Sequence, residues 1–350
     1  MSISLARWPV VDNNTVDGHR NHFAGYRMSR IITGLILVSA AVPSSAAAPA
    51  YPDLPVGITS FGAAVVGDHV YVYGGHSGRA HNYSTETTRG DLLRLDLKKP
   101  GKWESLAEGP KLQGVALVSH GGKLYRIGGM QPQNSKTEKT DTRSQASCAS
   151  FDPATGKWTD IAPLPDPRSS HDAIVVDDAI YVFGGWRLNG TAGKPEWHAH
   201  GLKLDLSKAD AKWEKVDQPF KRRALTVATL DKKVFVAGGL DDSGKVVRTV
   251  SIFDTATDTW SDGPAIPGED GNGFTPATAV QGGRLYFTGA DGKLFQLNEK
   301  KDGWTDVGQV KSKRFVARMV PGPDGRLVLI GGAAPGALLA SVEAIETSAK

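Results

Sequence analysis

The amino-acid sequence predicts an all-β protein, a β-propeller of six blades with four antiparallel strands in each blade. Three observations predict it. A short apolar motif that ends in two glycines recurs six times, its copies are evenly spaced, and a tryptophan follows most of them at a similar distance. The 350 residues also include 41 glycines and 20 prolines, a content typical of many tight turns rather than of long helices.

The recurring motif is clearest at residues 70–75, which read "VYVYGG", and it returns at 124–129, 180–185 and 234–239. Weaker copies read "LYFTGA" and "LVLIGG". The first glycines of the six copies are Gly74, Gly128, Gly184, Gly238, Gly289 and Gly331. A repeat of this size indicates a closed or stacked array in which every unit is one supersecondary element.

Each unit reads as four strands, A to D. A polar turn joins strands A and B, as in "AAVVGDHVYVYGG", and strands C and D form a hairpin such as "FDPATGKW", which ends at Trp158. Trp103, Trp213, Trp260 and Trp304 hold the equivalent place in other units. We expect the glycines to end strand B where neighbouring backbones approach closely, and the tryptophans to fill the space between adjacent sheets.

This diglycine–tryptophan repeat covers residues 50–346 and resembles the kelch repeat, whose units are blades of a β-propeller. The last unit has a strand C at 340–346 but no strand D after it. Residues 48–55 resemble the exit from strand D at 159–165. We therefore expect segment 49–55 to supply the outer strand of the sixth blade and to close the ring, since an open ring would expose a sheet edge.

The N-terminal region predicts export. An arginine, Arg30, precedes an apolar run from Ile31 to Val42, and small residues follow up to Ala48. This is the three-part pattern of a signal peptide, and a run of about 12 residues is too short to span a bilayer. We expect a non-structural extension or a mis-assigned start at 1–27, a signal peptide at 28–48 and the propeller at 49–350. The protein would then be periplasmic or secreted, with no transmembrane segment.

Charge and cysteine content exclude several classes of function. The formal net charge is +4, and residues 1–48 contribute four arginines against two aspartates, so the propeller is close to neutral. That balance gives no case for nucleic acid as a partner. Cys148 is the only cysteine, so an intrachain disulfide and a four-cysteine metal site are both excluded.

Antiparallel alternation sorts the connections between strands. The A–B and C–D turns lie on one face of the propeller, and the B–C and D–A loops lie on the other, here called the loop face. The B–C loops are long in the first three units, at 76–91, 130–146 and 186–200, and long loops on a rigid scaffold often carry function.

Basic and aromatic residues concentrate at the loop face, which predicts a ligand site at the mouth of the central channel. Arginine can fork onto a carboxylate or phosphate, and flat rings can stack on a ligand. The candidate ligand-binding residues are Arg79, Tyr83, Arg168, Trp186, Arg187, Trp197, His198, Arg222, Arg223 and Arg314. The candidates for hydrogen bonding or proton transfer are His76, His81, His171 and His200.

Several of these residues also have a purely structural interpretation. Arg168, Arg223 and Arg314 stand where kelch repeats commonly place a basic residue ahead of strand A, which binds neighbouring carbonyl groups. Trp186 and Trp197 could pack a long loop against the blade. His198 and His200 are spaced so that both imidazoles could share a metal, but no companion motif completes a ligand set, so the expectation is no metal and no cofactor.

The resemblance to kelch propellers leaves three functions open. The first is an exported module that binds a carbohydrate, another anionic ligand or a protein partner. The second is an enzyme, because exported N-acetylneuraminate epimerases are six-bladed kelch proteins that interconvert sugar anomers by acid–base chemistry. The third resembles galactose oxidase, a copper enzyme that needs a linked cysteine and tyrosine. Only Cys148 is available for that link, and it falls in a predicted strand C.

Overall fold

The structure, a computed structural model, describes residues 50–347. The predicted segments 1–27 and 28–48 lie outside these residues. Within them the chain is all-β, and its regular helices are three short 3-10 turns. No helix in this part of the chain is long and apolar enough to cross a membrane.

The first three blades follow the predicted order of strands. Blade 1 contains β1 (Gly62–Val66), β2 (His69–Tyr73), β3 (Asp91–Asp96) and β4 (Glu104–Glu108). Blade 2 contains β5 (Ala116–His120), β6 (Lys123–Ile127), a short ribbon of β7 (Met130–Pro132) and β8 (Thr142–Ser144), then β9 (Cys148–Asp152) and β10 (Lys157–Ile161). Blade 3 contains β11 (Ser169–Val176), β12 (Ala179–Arg187), a 3-10 turn (Gly190–Ala192), β13 (Glu196–Trp197), β14 (His200–Asp205) and β15 (Glu214–Asp217).

The last three blades have shorter loops. Blade 4 contains β16 (Arg222–Arg223), β17 (Thr226–Leu230), β18 (Lys233–Ala237), β19 (Leu240–Asp241), β20 (Val250–Asp254) and β21 (Thr259–Gly263). Blade 5 contains a 3-10 turn (Asp270–Gly273), β22 (Ala277–Gln281), β23 (Arg284–Thr288), β24 (Lys293–Leu297) and β25 (Trp304–Gln309). Blade 6 contains β26 (Arg318–Pro321), a 3-10 turn (Pro323–Gly325), β27 (Leu327–Ile330), a ribbon of β28 (Ala333–Ala334) and β29 (Ala337–Leu338), and β30 (Val342–Ile345).

The strands A form the inner wall of the ring. Each contacts the strand A of the next blade, and β26 of blade 6 contacts β1 of blade 1. The hydrophobic core lies between neighbouring blades rather than within one sheet. Between blades 1 and 2, for example, Tyr71 and Leu92 pack with Leu117, Leu124 and Phe151. The prediction of six blades is confirmed.

The paired glycines join each blade to the next. Gly74 has a φ of 68°, and a Cβ there would lie 2.4 Å from the carbonyl oxygen of Leu112 in the segment that leads into blade 2. The N–H of Gly75 donates to that same oxygen at 2.8 Å. The equivalent bonds are Gly129 to Arg168, Gly239 to Gly273 and Gly332 to Ile58. A side chain would therefore separate the blades, which explains the glycine pair.

In blade 3 the glycines do not end strand B, contrary to the prediction. β12 continues through Gly184 and Gly185 because Trp186 pairs with Trp197 and Arg187 pairs with Glu196 in a two-residue extension of the ladder. The loop after the glycines is thus a rigid ribbon at its base.

The strand D tryptophans add a second inter-blade contact. The indole N–H groups of Trp213, Trp260 and Trp304 donate to carbonyl oxygens near the end of strand D in the preceding blade, whereas the Trp158 nitrogen is buried without a partner among the described residues. The bonds are Trp213 to Ala162 at 2.8 Å, Trp260 to Asp217 at 2.7 Å and Trp304 to Pro264 at 3.0 Å.

A ring of backbone bonds surrounds the axis at the loop face. The residues that take part, here called the axial ring, are Ser60, Gly114, Ser170, Ala224, Thr275 and Val316, one at or just before the start of each strand A. Five N–H groups each donate to the preceding member, at distances from 2.6 to 3.3 Å. All six residues have φ between 44° and 58°, a region that only glycine enters freely. The tight ring thus imposes one backbone conformation on residues as different as Gly114, Ala224 and Val316.

The N-terminal segment closes the ring between blades 6 and 1. Leu54 N donates to Ala340 O at 2.8 Å, as Leu164 does to Ala146 in blade 2, and Trp103 donates to Pro52 O at 3.1 Å. Tyr51 and Leu54 are buried in the core between the two blades. The predicted strand itself is absent from residues 50–55, however, which are irregular, and the sixth sheet has three strands among the described residues.

We compare a chain that begins at residue 57 with one that begins at residue 49. We predict that the shorter chain has a free energy of unfolding lower by roughly 3–6 kcal/mol. Tyr51 and Leu54 each lose the ~1.5–3 kcal/mol that burial of a large side chain contributes. Thermal unfolding of the two chains, followed by circular dichroism with light scattering to detect aggregation, measures the difference. Equal unfolding midpoints would show that the segment does not close the ring.

Candidate functional site

The long loops of blades 1 to 3 bind one another and form a continuous wall at the loop face. Asn134 donates to the carbonyl oxygen of Tyr83 at 2.8 Å and accepts, through its own carbonyl, from the N–H of Thr85. Ser144 N donates to Leu188 O at 3.0 Å. Each loop thus limits the movement of the next. Blades 4 to 6 carry shorter connections, so the wall covers half of the mouth.

Four predicted residues meet at the inner edge of this wall. Arg223 stacks its guanidinium over Trp186, at 3.9 Å from the ring centroid, and lies 5.7 Å from the centroid of Trp197. The two indole rings are 5.6 Å apart. Tyr83 is close enough for its hydroxyl to affect the pKa of Arg223. We call Tyr83, Trp186, Trp197 and Arg223 the Arg223 cage.

The guanidinium of Arg223 is charged and has no protein acceptor. Burial lowers the pKa of Arg223 to about 10, while the nearby Tyr83 acts in the opposite direction. Its Nε is buried without a hydrogen-bond partner, as is the indole Nε1 of Trp186. No hydrogen bond or ion pair joins the Arg223 guanidinium to residues 50–347, so its N–H groups are available to a ligand.

Tyr83 belongs to the long loop of blade 1 and contacts two histidines of that loop. Its ring meets that of His76 edge to face at 4.9 Å and lies 6.3 Å from that of His81. Burial raises the pKa of Tyr83 and lowers the pKa of His76. His76 is buried, with its Nε2 3.1 Å from the carbonyl oxygen of Arg79, so it holds the loop in shape. The side chains of His81 and Arg79 are exposed.

Arg168, Arg222 and Arg314 do not reach the mouth. All three are buried, and each donates from Nη1 to the first glycine of its own blade's pair and to the carbonyl oxygen at the start of strand C. The structural interpretation expected for Arg168 and Arg314 therefore describes both residues, and it also describes Arg222, for which only ligand binding was expected. It does not describe Arg223. Arg222 also lines an open groove of about 680 Å³ between blades 3 and 4, together with Phe220, Asp241 and Asp262. Arg187 is half-buried in the β12–β13 ribbon.

The predicted histidines also differ in whether their side chains are open to the mouth or buried in the blades. His171 is buried between blades 2 and 3, where the equivalent residue in blade 1 is Phe61, so it cannot exchange protons with a ligand at the mouth. His198 is buried with its Nε2 3.1 Å from Pro167 O, and His200 is half-buried behind it. Their rings are 5.7 Å apart. Residues 50–347 contain no group of three or more His, Cys, Asp or Glu side chains that could hold a metal ion.

Sequence reasoning missed an ion pair that crosses the channel. Arg318 Nη1 lies 2.8 Å from Asp172 Oδ2, although the two residues are on the strands A of opposite blades. The same carboxylate oxygen accepts from Val227 N, and Arg318 Nε donates to Phe61 O. A signal existed in the repeat alignment: the equivalent inner positions hold small or neutral residues, namely Gly62, Ala116, Thr226 and Ala277. The pair ties opposite sides of the ring beneath the mouth.

Six blades joined through paired glycines and strand D tryptophans, with functional loops on one face, define a kelch-type β-propeller. The chain belongs to the kelch-repeat family: the family model described as the KLHDC2/KLHL20/DRC7 Kelch-repeats domain matches residues 114–332. The fold is also that of the solved structure titled "Structure of YjhT", with a TM-score of 0.69 at 18% identity over 86% of this chain and 98% of that one.

Two curated relatives show the range of the family. The chain is 34% identical over 157 residues to the N-acetylneuraminate epimerase of Pasteurella multocida (strain Pm70), which covers 44% of this chain. It is 25% identical over 241 residues to the Kelch repeat and BTB domain-containing protein 12 of Danio rerio, which covers 63% of this chain. The matches span 38% of the length of each relative. The protein is a kelch β-propeller interaction module.

We predict that the propeller loses stability as the pH falls from 6.5 to about 4. Burial, followed by the charge of Arg168, lowers the pKa of His198 to about 4, and burial holds the pKa of His171 well below its usual value. The unfolded chain therefore takes up protons first, so the contribution of each histidine is complete above pH 6.5 and decreases as the pH falls. The loss is up to about 1.4 kcal/mol per pH unit for each histidine.

Urea unfolding at a series of pH values measures this dependence. The His198→Gln variant keeps a donor for Pro167 O and removes the titrating group, so its free energy of unfolding should fall less steeply over the same range. Identical slopes for the variant and the unmodified protein would contradict the assignment to His198.

Proposed function

We propose that the protein is an exported binding module that takes an acidic carbohydrate at the Arg223 cage. The observation that carries the proposal is the Arg223 guanidinium, which is stacked on one face and has no acceptor for its N–H groups among residues 50–347. Guanidinium groups in this state fork onto carboxylates, and the geometry is bidentate and planar. Export follows from the signal pattern at 28–48, and N-terminal sequencing of protein recovered outside the cytoplasm would test cleavage near Pro49.

The environment of Arg223 supports a sugar rather than a simple anion. The rings of Trp186 and Trp197 cover the charge with flat apolar surface, and the Tyr83 hydroxyl is close enough to act on it. Trp186 Nε1 is a further donor without a partner among residues 50–347. A sugar acid combines a carboxylate with an apolar ring face, so it can use both features. The half-open mouth also leaves room for a longer chain or for a protein partner that presents an acidic side chain.

Calorimetric titration of residues 49–350 with N-acetylneuraminate and glucuronate tests the proposal, with galactose as the neutral control. We expect Arg223→Ala to weaken binding of the acids ten- to a hundred-fold, since a hydrogen bond to a charged group contributes about 1.5–3 kcal/mol. Arg223→Lys keeps the charge but loses the fork, so it should recover part of the affinity. Arg143→Ala is the matched control, because Arg143 is an arginine of the same face already paired with Asp141.

Binding of no acidic sugar, or an Arg223→Ala variant that binds as tightly as the unmodified protein, would refute this function. If Arg223→Ala instead unfolds the protein, Trp197→Leu provides a second test of the cage. That variant should lose affinity while its unfolding midpoint stays close to that of the unmodified protein.

The second candidate is a sugar epimerase, and the 34% identity to the Pasteurella multocida enzyme favours it. The same acidic sugar would then be turned over, with Tyr83 of the cage, or His81 next to Tyr83, as the group that moves the proton. Proton NMR of freshly dissolved N-acetylneuraminate, followed with and without the protein, separates the two functions. Faster equilibration of the anomers that is lost in His81→Ala or Tyr83→Phe indicates an enzyme, whereas binding without faster equilibration leaves a binding module.

A further inference from the structure

The three buried arginines occupy equivalent positions but differ in what balances their charge. Each uses Nη1 for two backbone carbonyl oxygens of its own blade. Arg314 also donates from Nη2 to the carboxylate of Glu343 at 3.3 Å, and from Nε to Ser312 O. Arg222 donates from Nη2 to the hydroxyl of Ser251 at 2.9 Å. Glu343 and Ser251 both lie two residues after the strand C carbonyl that their arginine binds.

In blade 3 the equivalent residue is Leu202, which is buried and apolar. Arg168 therefore has no acidic or hydroxyl group at this place, and its Nε and Nη2 are buried without a hydrogen-bond partner among residues 50–347. Its side chain is 0% exposed. Burial lowers the pKa of Arg168 to about 9, so the group still carries its charge at neutral pH. A buried charge of this kind normally has a counter-ion, because desolvation is otherwise very costly.

Two histidines beside Arg168 also have buried nitrogen atoms that lack a hydrogen-bond partner among the described residues. Both ring nitrogens of His171 and the Nε2 of His200 are buried without a partner among the described residues. His171 and Arg168 flank the same glycine: a Cβ on Gly185 would lie 2.8 Å from the Cβ of His171 and 3.0 Å from the Cγ of Arg168. A neutral imidazole has one N–H donor. Unused donors from at least two buried side chains thus occur together beside the charge of Arg168. Asp166 attracts this charge, but among residues 50–347 it makes no hydrogen bond to the guanidinium.

We propose that a small inorganic anion, of the size and charge of chloride, binds between blades 2 and 3 and balances the charge of Arg168. Nε and Nη2 of Arg168 and an N–H of His171 are its donors. The anion holds the place that Glu343 occupies beside Arg314. It belongs to the interior of the propeller and is separate from the Arg223 cage. The test of the anion site therefore does not decide whether the cage binds a sugar, and the reverse also holds.

Crystals of residues 49–350 grown with sodium bromide test the proposal, because bromide replaces chloride and has an anomalous signal. We expect an anomalous peak beside the guanidinium of Arg168 and no peak beside Arg314, which serves as the internal control. Leu202→Glu supplies a carboxylate at the position of Glu343 and should abolish the peak. A peak-free map with an ordered water beside Arg168 would overturn the proposal.

Thermal unfolding provides a second readout in solution. At constant ionic strength, replacing methanesulfonate by chloride should raise the unfolding midpoint by about 2–4 °C, because a ligand that binds only the folded state stabilises it. Arg168→Leu places the residue found at the equivalent position in blade 2, Leu112, and should remove the dependence on chloride even if Leu202→Glu does not fold. A chloride effect of equal size in Arg168→Leu would also overturn the proposal.

Discussion

The structure depends on the backbone bonds that join the blades around the axis. Five N–H groups of the axial ring donate to their predecessors, and in blades 1, 2, 4 and 6 the N–H of the second glycine donates to the segment that leads into the next blade. The ring forces residues such as Thr275 and Val316 to positive φ, at a cost on the order of 1–3 kcal/mol for a residue in so sparsely populated a region. Packing between the blades must offset that cost, because each hydrogen bond contributes only about 0.5–1.5 kcal/mol.

This constraint explains why the candidate site is rigid. Arg223 immediately precedes Ala224, whose N–H donates to Ser170 O, so the backbone that carries the guanidinium is held by the ring itself. Trp186 and Trp197 are fixed by the ladder that extends β12 past its glycines. The cage is thus assembled from one residue of the scaffold and one ribbon of the loop wall, and Tyr83 reaches it from blade 1. A site built in this way can present a fixed charge without an internal acceptor.

The sequence predicted the features that recur as a residue pattern and missed those that only tertiary packing creates. The glycine pairs and the strand D tryptophans recur at a regular spacing, so they identified the blades, and the likeness of residues 48–55 to the exit at 159–165 predicted the closure. The axial ring was not predictable, because five of its six positions hold residues other than glycine and only tertiary packing explains their positive φ. The Arg318–Asp172 pair joins opposite blades, and no local pattern reports such a contact.

The candidate site could be predicted only in part. Long loops correctly located Tyr83, Trp186 and Trp197 on one face, but residue type alone could not separate Arg223 from Arg222. Both guanidinium groups stack on an aromatic ring, Arg222 on Phe220 and Arg223 on Trp186. Among the described residues, however, only Arg222 also donates to backbone carbonyls and to a serine hydroxyl. Strand C supplies the groups that bind Arg222, and that distinction requires the folded blade.

Native-state hydrogen exchange at the amides of the axial ring tests the central claim most directly. The N–H groups of Gly114, Ser170, Ala224 and Thr275 lie at the loop face, yet the account predicts that they exchange only through global unfolding. Their protection should match that of the innermost strands. The free energy of exchange should also decrease with denaturant as steeply as the free energy of global unfolding does. Exchange of these amides as fast as that of the exposed loop residues would show that the ring does not hold the blades together.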